Sequence, residues 1–214
     1  MMRHLLLYLL ALGTAAAAVP TELYNGKDLT GLELVTIPAA DIATVCHVTD
    51  GGVLAISGKP VGYLLAAGSY ENYSLHVEYR WPKDAPKNSN SGVLVHIASG
   101  PIDRNTWPLC FQIQTKMSRA GDLLPMAGAK FAEPLTSPPG AKTQQLDRLG
   151  VMADNAPGEW NTIDVVCRNS TIRVTVNDVV ENRVTNCEPH AGKIGLQLEG
   201  LPFELRIFRI TPLP

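Results

Sequence analysis

"VVCRNSTIRVTVNDVV", residues 165–180, decides the fold class. Apolar residues alternate with polar ones on either side of Asn169–Ser170, and Asn177–Asp178 interrupts the pattern again. Val, Ile and Thr suit a pleated, half-buried surface, whereas Asn, Asp and Ser suit tight turns. The stretch therefore reads as strands reversing at 169–170 and again at 177–178.

Outward from it, the same signature covers most of the chain. Strands are expected over 53–57, 63–67, 73–81, 92–98, 110–115, 162–168, 171–177, 193–199 and 203–210, with a corner at 200–202. No segment sustains a 3.6-residue period; weak exceptions fall at 41–45 and 143–149. Many short strands with few helices imply an all-β sandwich or barrel. Two connections are long, "PKDAPKNSNSG" at 82–92 and the stretch 117–157. A link of about 40 residues exceeds ordinary loops and is usually functional or mobile. Short elements of its own are expected near 126–131.

The first residues belong to no strand. "MMRHLLLYLLALGTAAAAVP" joins a basic start to an apolar run and a small-residue end with A-x-A spacing, the form of a secretory leader cut after Ala18. Its apolar run is shorter than the roughly 20 residues that span a bilayer, and no second such run follows. An exported protein, periplasmic or secreted, is expected, with one domain over 19–214. A net charge of −2 without a basic run argues against nucleic acid and against electrostatic membrane binding. The four cysteines, Cys46, Cys110, Cys167 and Cys187, permit two disulfides in an oxidising compartment. Cys167–Cys187, which closes a short loop, is the favoured pair. Cys110 reads equally as a buried thiol.

Several strands pair an apolar face with an unusual polar one. In "YSLHVEYRW" (73–81), Ser74, His76, Glu78 and Arg80 alternate with Tyr73, Leu75, Val77, Tyr79 and Trp81. His96 shares a row with Leu94, opposite Val93, Val95 and Ile97. Gln112 and Gln114 alternate with Phe111 and Ile113, and Gln197 and Glu199 with Leu196 and Leu198. Amides, a guanidinium and imidazole suit the paired donors and acceptors of a sugar. The same rows also fit an ordinary solvated sheet. Serine-hydrolase, zinc-protease, phosphate-loop and dinucleotide motifs are absent. Glu78 and Glu199 are available acids, but no strand carries the paired-acid spacing of a two-carboxylate glycosidase.

The blocks "ELYNGKDLTGLELV", "GYLLAAGSYENYSLHVEYRWP", "NSNSGVLVHI", "WPLCFQIQTKMSRAGDL", "GEWNTIDVVCRNSTIRVTVND" and "GKIGLQLEGLPFELRIFRITPL" occur in that order. Together they resemble the 3-keto-disaccharide hydrolase family. The resemblance implies a concanavalin A-like jelly roll of two antiparallel sheets. It also implies cleavage of glycosides already oxidised at sugar carbon 3. A C3 carbonyl acidifies the C2 proton, so one base, a donor or divalent metal ion for the enolate oxygen, and an acid for the leaving group suffice.

Carried onto this sequence, the resemblance implies catalytic roles for Glu78, His96 and Asp122, with the polar row of 73–81 flooring the site and Glu78 and His96 as its acid/base candidates. It implies carbohydrate contacts at Arg80, Asn90, Trp107, Gln112, Gln114, Gln197 and Glu199. Trp107 would either stack on a sugar ring or pack in the core beside Pro108, and Trp160 would be structural. The chain departs from the family at Gln112, where Glu is frequent; an amide neither takes nor gives a proton at neutral pH. The alternative is therefore a non-catalytic, lectin-like carbohydrate-binding module on the same face.

Overall fold

The structure, a computed structural model, describes residues 18–103 and 106–214. The leader expected over 1–18 thus lies, Ala18 apart, outside the described residues. The strands are β1 (Thr21–Glu22), β2 (Leu32–Thr36), β3 (Cys46–Val48), β4 (Leu54–Ile56), β5 (Gly62–Ala66), β6 (Tyr73–Arg80) and β7 (Ser91–Asp103). They continue as β8 (Trp107–Gln114), β9 (Leu123–Met126), β10 (Asn161–Arg168), β11 (Thr171–Val176), β12 (Val179–Val184), β13 (Lys193–Leu198) and β14 (Phe203–Pro212). One short helix, α1 (Ile42–Val45), starts where the Asp41 carboxylate accepts the Ala43 N–H, the expected cap chemistry.

The strands form two antiparallel sheets. One runs β12-β11-β10-β6-β14-β4-β3, with β1 added on β14; the other runs β2-β5-β13-β7-β8-β9. The reversals at 169–170 and 177–178 are those read from the sequence. Asn169, Ser170, Asn177 and Asp178 all have positive φ, the conformation of tight hairpin turns. The core lies between the sheets. Leu75, Val77, Ile163, Val165, Val174 and Phe208 of one meet Val93, Val95, Phe111, Ile113, Leu196 and Leu198 of the other. Each such side chain contributes about 1.5–3 kcal/mol on burial.

The connection over 117–157 is better organised than a loop. It contains β9 and is stitched back through bridges Leu123–Leu146 and Lys130–Glu188. Residues 143–149, a weak helix candidate, form no helix and contribute only the bridge residue Leu146. All four cysteines are buried free thiols, so the favoured Cys167–Cys187 bridge is not formed. Burial raises the pKa of the Cys46, Cys167 and Cys187 thiols to about 12. Among the described residues no helix is long and apolar enough to cross a membrane.

Candidate functional site

Strand register aligns side chains in rows across the six-stranded sheet. Tyr63, Gln197, Gly92 and Gln114 form one row; Leu65, Gly195, Leu94, Gln112 and Leu124 form the next. Both rows face away from the core, because Leu196, Val93 and Ile113, which alternate with them, point into it. The face divides chemically. Tyr63, Leu65, Leu94, Ile97 and Cys110 close into a small apolar cluster, while the end with Gln197, Gln112 and Gln114 stays polar.

Over that polar end lies a cavity of about 590 Å³. Its floor is three amides. Gln112 Nε2 donates to Gln114 Oε1 at 3.1 Å and to Gln197 Oε1 at 2.9 Å, and all three side chains are buried. Gly92 makes this convergence possible. It has no side chain, so the Gln112 amide lies over the gap between Gln114 and Gln197; a Cβ there would meet Gln112 Cγ at 2.6 Å.

The walls come from loops flanking the sheet. Trp107 and Asn90 stand at the rim, where Asn90 Nδ2 donates to Glu199 Oε2 at 2.6 Å. Opposite, Arg119 donates from Nε to Asp122 Oδ2 (2.6 Å) and from Nη2 to Asp147 Oδ1 (2.5 Å). Gln145 Nε2 donates to that same Asp147 oxygen at 2.6 Å, fixing the Thr143–Gln145 wall. Asp122 is 2 % exposed. Burial pushes its pKa above the ordinary value, against the Arg148 amide and the Arg119 cation, which pull it down.

The wall segment is tied inward by three successive backbone amides. Arg148 N donates to Asp122 Oδ1 (2.9 Å), Leu149 N to the Glu181 carbonyl (2.6 Å), and Gly150 N to Glu181 Oε2 (3.0 Å). Glu181 is fully buried because the register shifts between Val174 and Thr175 opposite it. The bulge turns both Glu181 and Asn182 inward, an arrangement no periodicity of the sequence discloses.

Of the residues expected to form a site, Asn90, Trp107, Gln112, Gln114, Asp122, Gln197 and Glu199 line this cavity. Lys116, Arg119, Thr143 and Gln145 join them and were not anticipated. Their signal was only that they fall in or beside the overlong connection. Glu78, Arg80 and His96 lie elsewhere. The polar row of β6 does not floor the cavity, because β6 belongs to the eight-stranded sheet and that row faces away from the core on the far side of the molecule. There Glu78 pairs with His76 and Arg206, and Arg80 with Glu204. Arg80 and Arg206 also flank the Trp160 ring at 4.5 and 4.4 Å.

His96 is displaced by a bulge. It has φ 55°, and the pairing of β7 with both neighbours slips around it. The extra residue inverts the alternation, so His96 leaves the row of Leu94 and enters the core. Its ring meets Tyr73 and Phe111 edge-on, and Nδ1 faces the Pro189 carbonyl at 3.2 Å. Burial lowers its pKa to about 4, so the ring is neutral at physiological pH and Nδ1–H donates.

The donor set does not fit a divalent metal ion. Among the described residues no three His, Cys, Asp or Glu side chains converge as ligands. The cavity floor is amide, which supplies no anionic ligand.

Residues 19–211 match the model of the 3-keto-alpha-glucoside-1,2-lyase-like domain family. A protein of Parabacteroides distasonis classed among glycosyl hydrolases aligns with 20% identity and TM-score 0.63, over 91% of this chain and 94% of its own. LamAcat of Zobellia galactanivorans gives 13% identity and TM-score 0.58, covering 91% and 97%. The carbohydrate-binding module CBM66 of Bacillus subtilis gives 10% and 0.56, covering 84% and 95%. No curated protein matches in sequence. The likeness to these structures places the chain among the concanavalin A-like jelly-roll sandwiches.

Proposed function

We propose, from the premise that this chain belongs to the 3-keto-alpha-glucoside-1,2-lyase-like domain family, that its amide-floored cavity binds and cleaves 3-keto-glycosides. The observation that carries this reading is the cavity's inventory. Buried amides, Asn90, Glu199, Lys116 and Arg119 surround a volume of about 590 Å³, with Trp107 on one wall. That combination of planar hydrogen-bonding groups and one aromatic surface suits a sugar.

Asp122 is the proton-transfer group in this proposal. Burial makes its carboxylate more basic than usual, and it lines the cavity beside a cation. Removal of the C2 proton places its electron pair in the enolate. Collapse of the enolate forms the C1–C2 double bond and breaks the bond from C1 to the leaving oxygen, which takes up a proton. Water then adds across the enone and restores a 3-keto sugar. The Asn90–Glu199 pair holds hydroxyl groups. Secretion, with cleavage after Ala18, is part of the same proposal and is checked by the mass of the mature protein.

The test is release of free sugar from methyl 3-keto-α-glucoside beside its unoxidised parent. Turnover of the keto sugar alone, lost in Asp122→Asn, supports the reading; cleavage of the parent at equal rate refutes it. Gln112, which cannot carry a proton, favours the second reading, a carbohydrate-binding module. Saturable binding without turnover would select that one.

A further inference from the structure

We propose that Gln112 is a positioning residue that turns the side-chain NH2 groups of Gln114 and Gln197 into the cavity, making them a donor pair for a carbonyl or enolate oxygen. The inference rests on the function proposed above and names the part of the substrate that the floor reads.

The orientation of all three amides follows from one backbone group. The Lys116 N–H can only donate, and it faces Gln114 Oε1 at 3.3 Å. Gln112 must therefore meet that oxygen with its NH2, as it does at 3.1 Å. The remaining N–H of the same group reaches 2.9 Å to Gln197, which must present its oxygen in turn. With both carbonyls turned inward, the NH2 groups of Gln114 and Gln197 donate to none of the described residues and are left for the cavity that both side chains line. Among the described residues Gln112 only donates, through Nε2, and nothing donates to its carbonyl. The floor thus offers two NH2 groups and one carbonyl.

That pattern matches a ketone beside a hydroxyl better than a run of hydroxyls. The ketone oxygen only accepts, and the adjacent hydroxyl can donate to Gln112. Negative charge building on the oxygen as C2 is deprotonated strengthens the same two hydrogen bonds, so they count for more in the transition state than in the ground state. A Glu at position 112 reverses the relay. A carboxylate can only accept, so it draws an NH2 from a neighbour and leaves a carbonyl facing the ligand.

The experiment uses the full chain, methyl 3-keto-α-glucoside and its unoxidised parent. By NMR, the side-chain NH2 of Gln112 is expected to exchange slowly with solvent and those of Gln114 and Gln197 quickly. In Gln112→Glu one of the latter two becomes slow. Gln197→Glu is the second variant, because it keeps an oxygen for Gln112 and replaces the outward donor with an anionic acceptor that repels a carbonyl or enolate oxygen. Each variant is expected to weaken keto-sugar binding at least tenfold while changing parent binding less than threefold. Slow exchange at Gln114 and Gln197 in the wild type overturns the relay. Equal losses for both sugars, or unchanged keto binding, overturn the keto-oxygen assignment alone. A wild-type protein indifferent to both sugars overturns the proposed function and this assignment together.

Discussion

Gly92 lies under the side chain of Gln112, so closely that a Cβ at 92 would stand 2.6 Å from Gln112 Cγ and 2.7 Å from Nε2. The glycine has no positive φ; what it supplies is space. Gly92→Ala is therefore expected to lift the amide off Gln114 and Gln197 while leaving the β7 backbone intact. Sugar binding should weaken tenfold or more, about 1.4 kcal/mol, with little change in melting temperature. Titration calorimetry beside a thermal melt checks both halves.

Asp122 should leave its mark on the pH dependence of turnover. A base acts only when deprotonated, and burial raises this carboxylate's pKa above the ordinary value. The value of kcat/KM is expected to rise with pH through that shifted pKa and then level off. Asp122→Asn should lose about 100-fold or more in kcat. A profile flat from pH 4 to 7, about the carboxylate range and above, would remove Asp122 from proton transfer.

Glu181 is fully buried and its Oε1 has no partner among the described residues. Burial raises its pKa, with Asp154 and Asp122 adding to the effect, against the Gly150 amide and the Arg148 cation, which pull it down. A carboxylate with a raised folded-state pKa destabilises most when both folded and unfolded forms are ionised, and the penalty fades as pH falls through the folded pKa. Glu181→Gln is expected to raise the melting temperature at neutral pH by about 3 °C. The gain should shrink on acidification, as read by melts across the same pH range.

His76 acts in the opposite sense. The Asp164 hydrogen bond, at 2.7 Å, and Glu78 raise its pKa despite burial. Its stabilising contribution is fully present below the unfolded value, about 6.5, and is lost as pH rises through the folded pKa. His76→Gln should therefore flatten the fall in stability above neutral pH. Because His76 is far from the cavity, sugar affinity should not change.

His96→Ala separates core from catalysis. Removing a ring packed between Tyr73 and Phe111 should cost about 2–4 kcal/mol of stability through the cavity it leaves. Turnover per folded molecule should persist. A large fall in kcat with unchanged stability would return His96 to the chemistry.

The strands were legible because most follow strict alternation bounded by turn residues, and the hairpins at 169–170 and 177–178 announce themselves. The shorter strands β1, β2, β3, β9 and β12 were not read. Three span only two to four residues, and Glu181 and Asn182 break the alternation of β12. Gln112, Gln114, Gln197 and Glu199 stood out by residue chemistry and Asn90, Trp107 and Asp122 by the family resemblance, but the grouping of these seven depends on which strands are neighbours, which a single sequence does not encode locally. Glu78 and Arg80 fail for that reason, since both sheets carry polar outward rows. His96 fails for another: one residue in a left-handed conformation reverses every face assignment beyond it.

The three amides of Arg148, Leu149 and Gly150 that hold the cavity wall belong to the main chain, and so persist whatever side chains residues 148 and 149 carry. Side chains at 143 and 144 can accordingly change without loosening the anchor, while Gln145 also braces the wall through Asp147. Gly150 is the exception, with a Cβ there 2.9 Å from Glu181 Oε2. Ligand preference is thus uncoupled from the fastening of the wall, leaving descendants of this sequence free to explore new sugars by exchanging residues on a segment whose position is already secured.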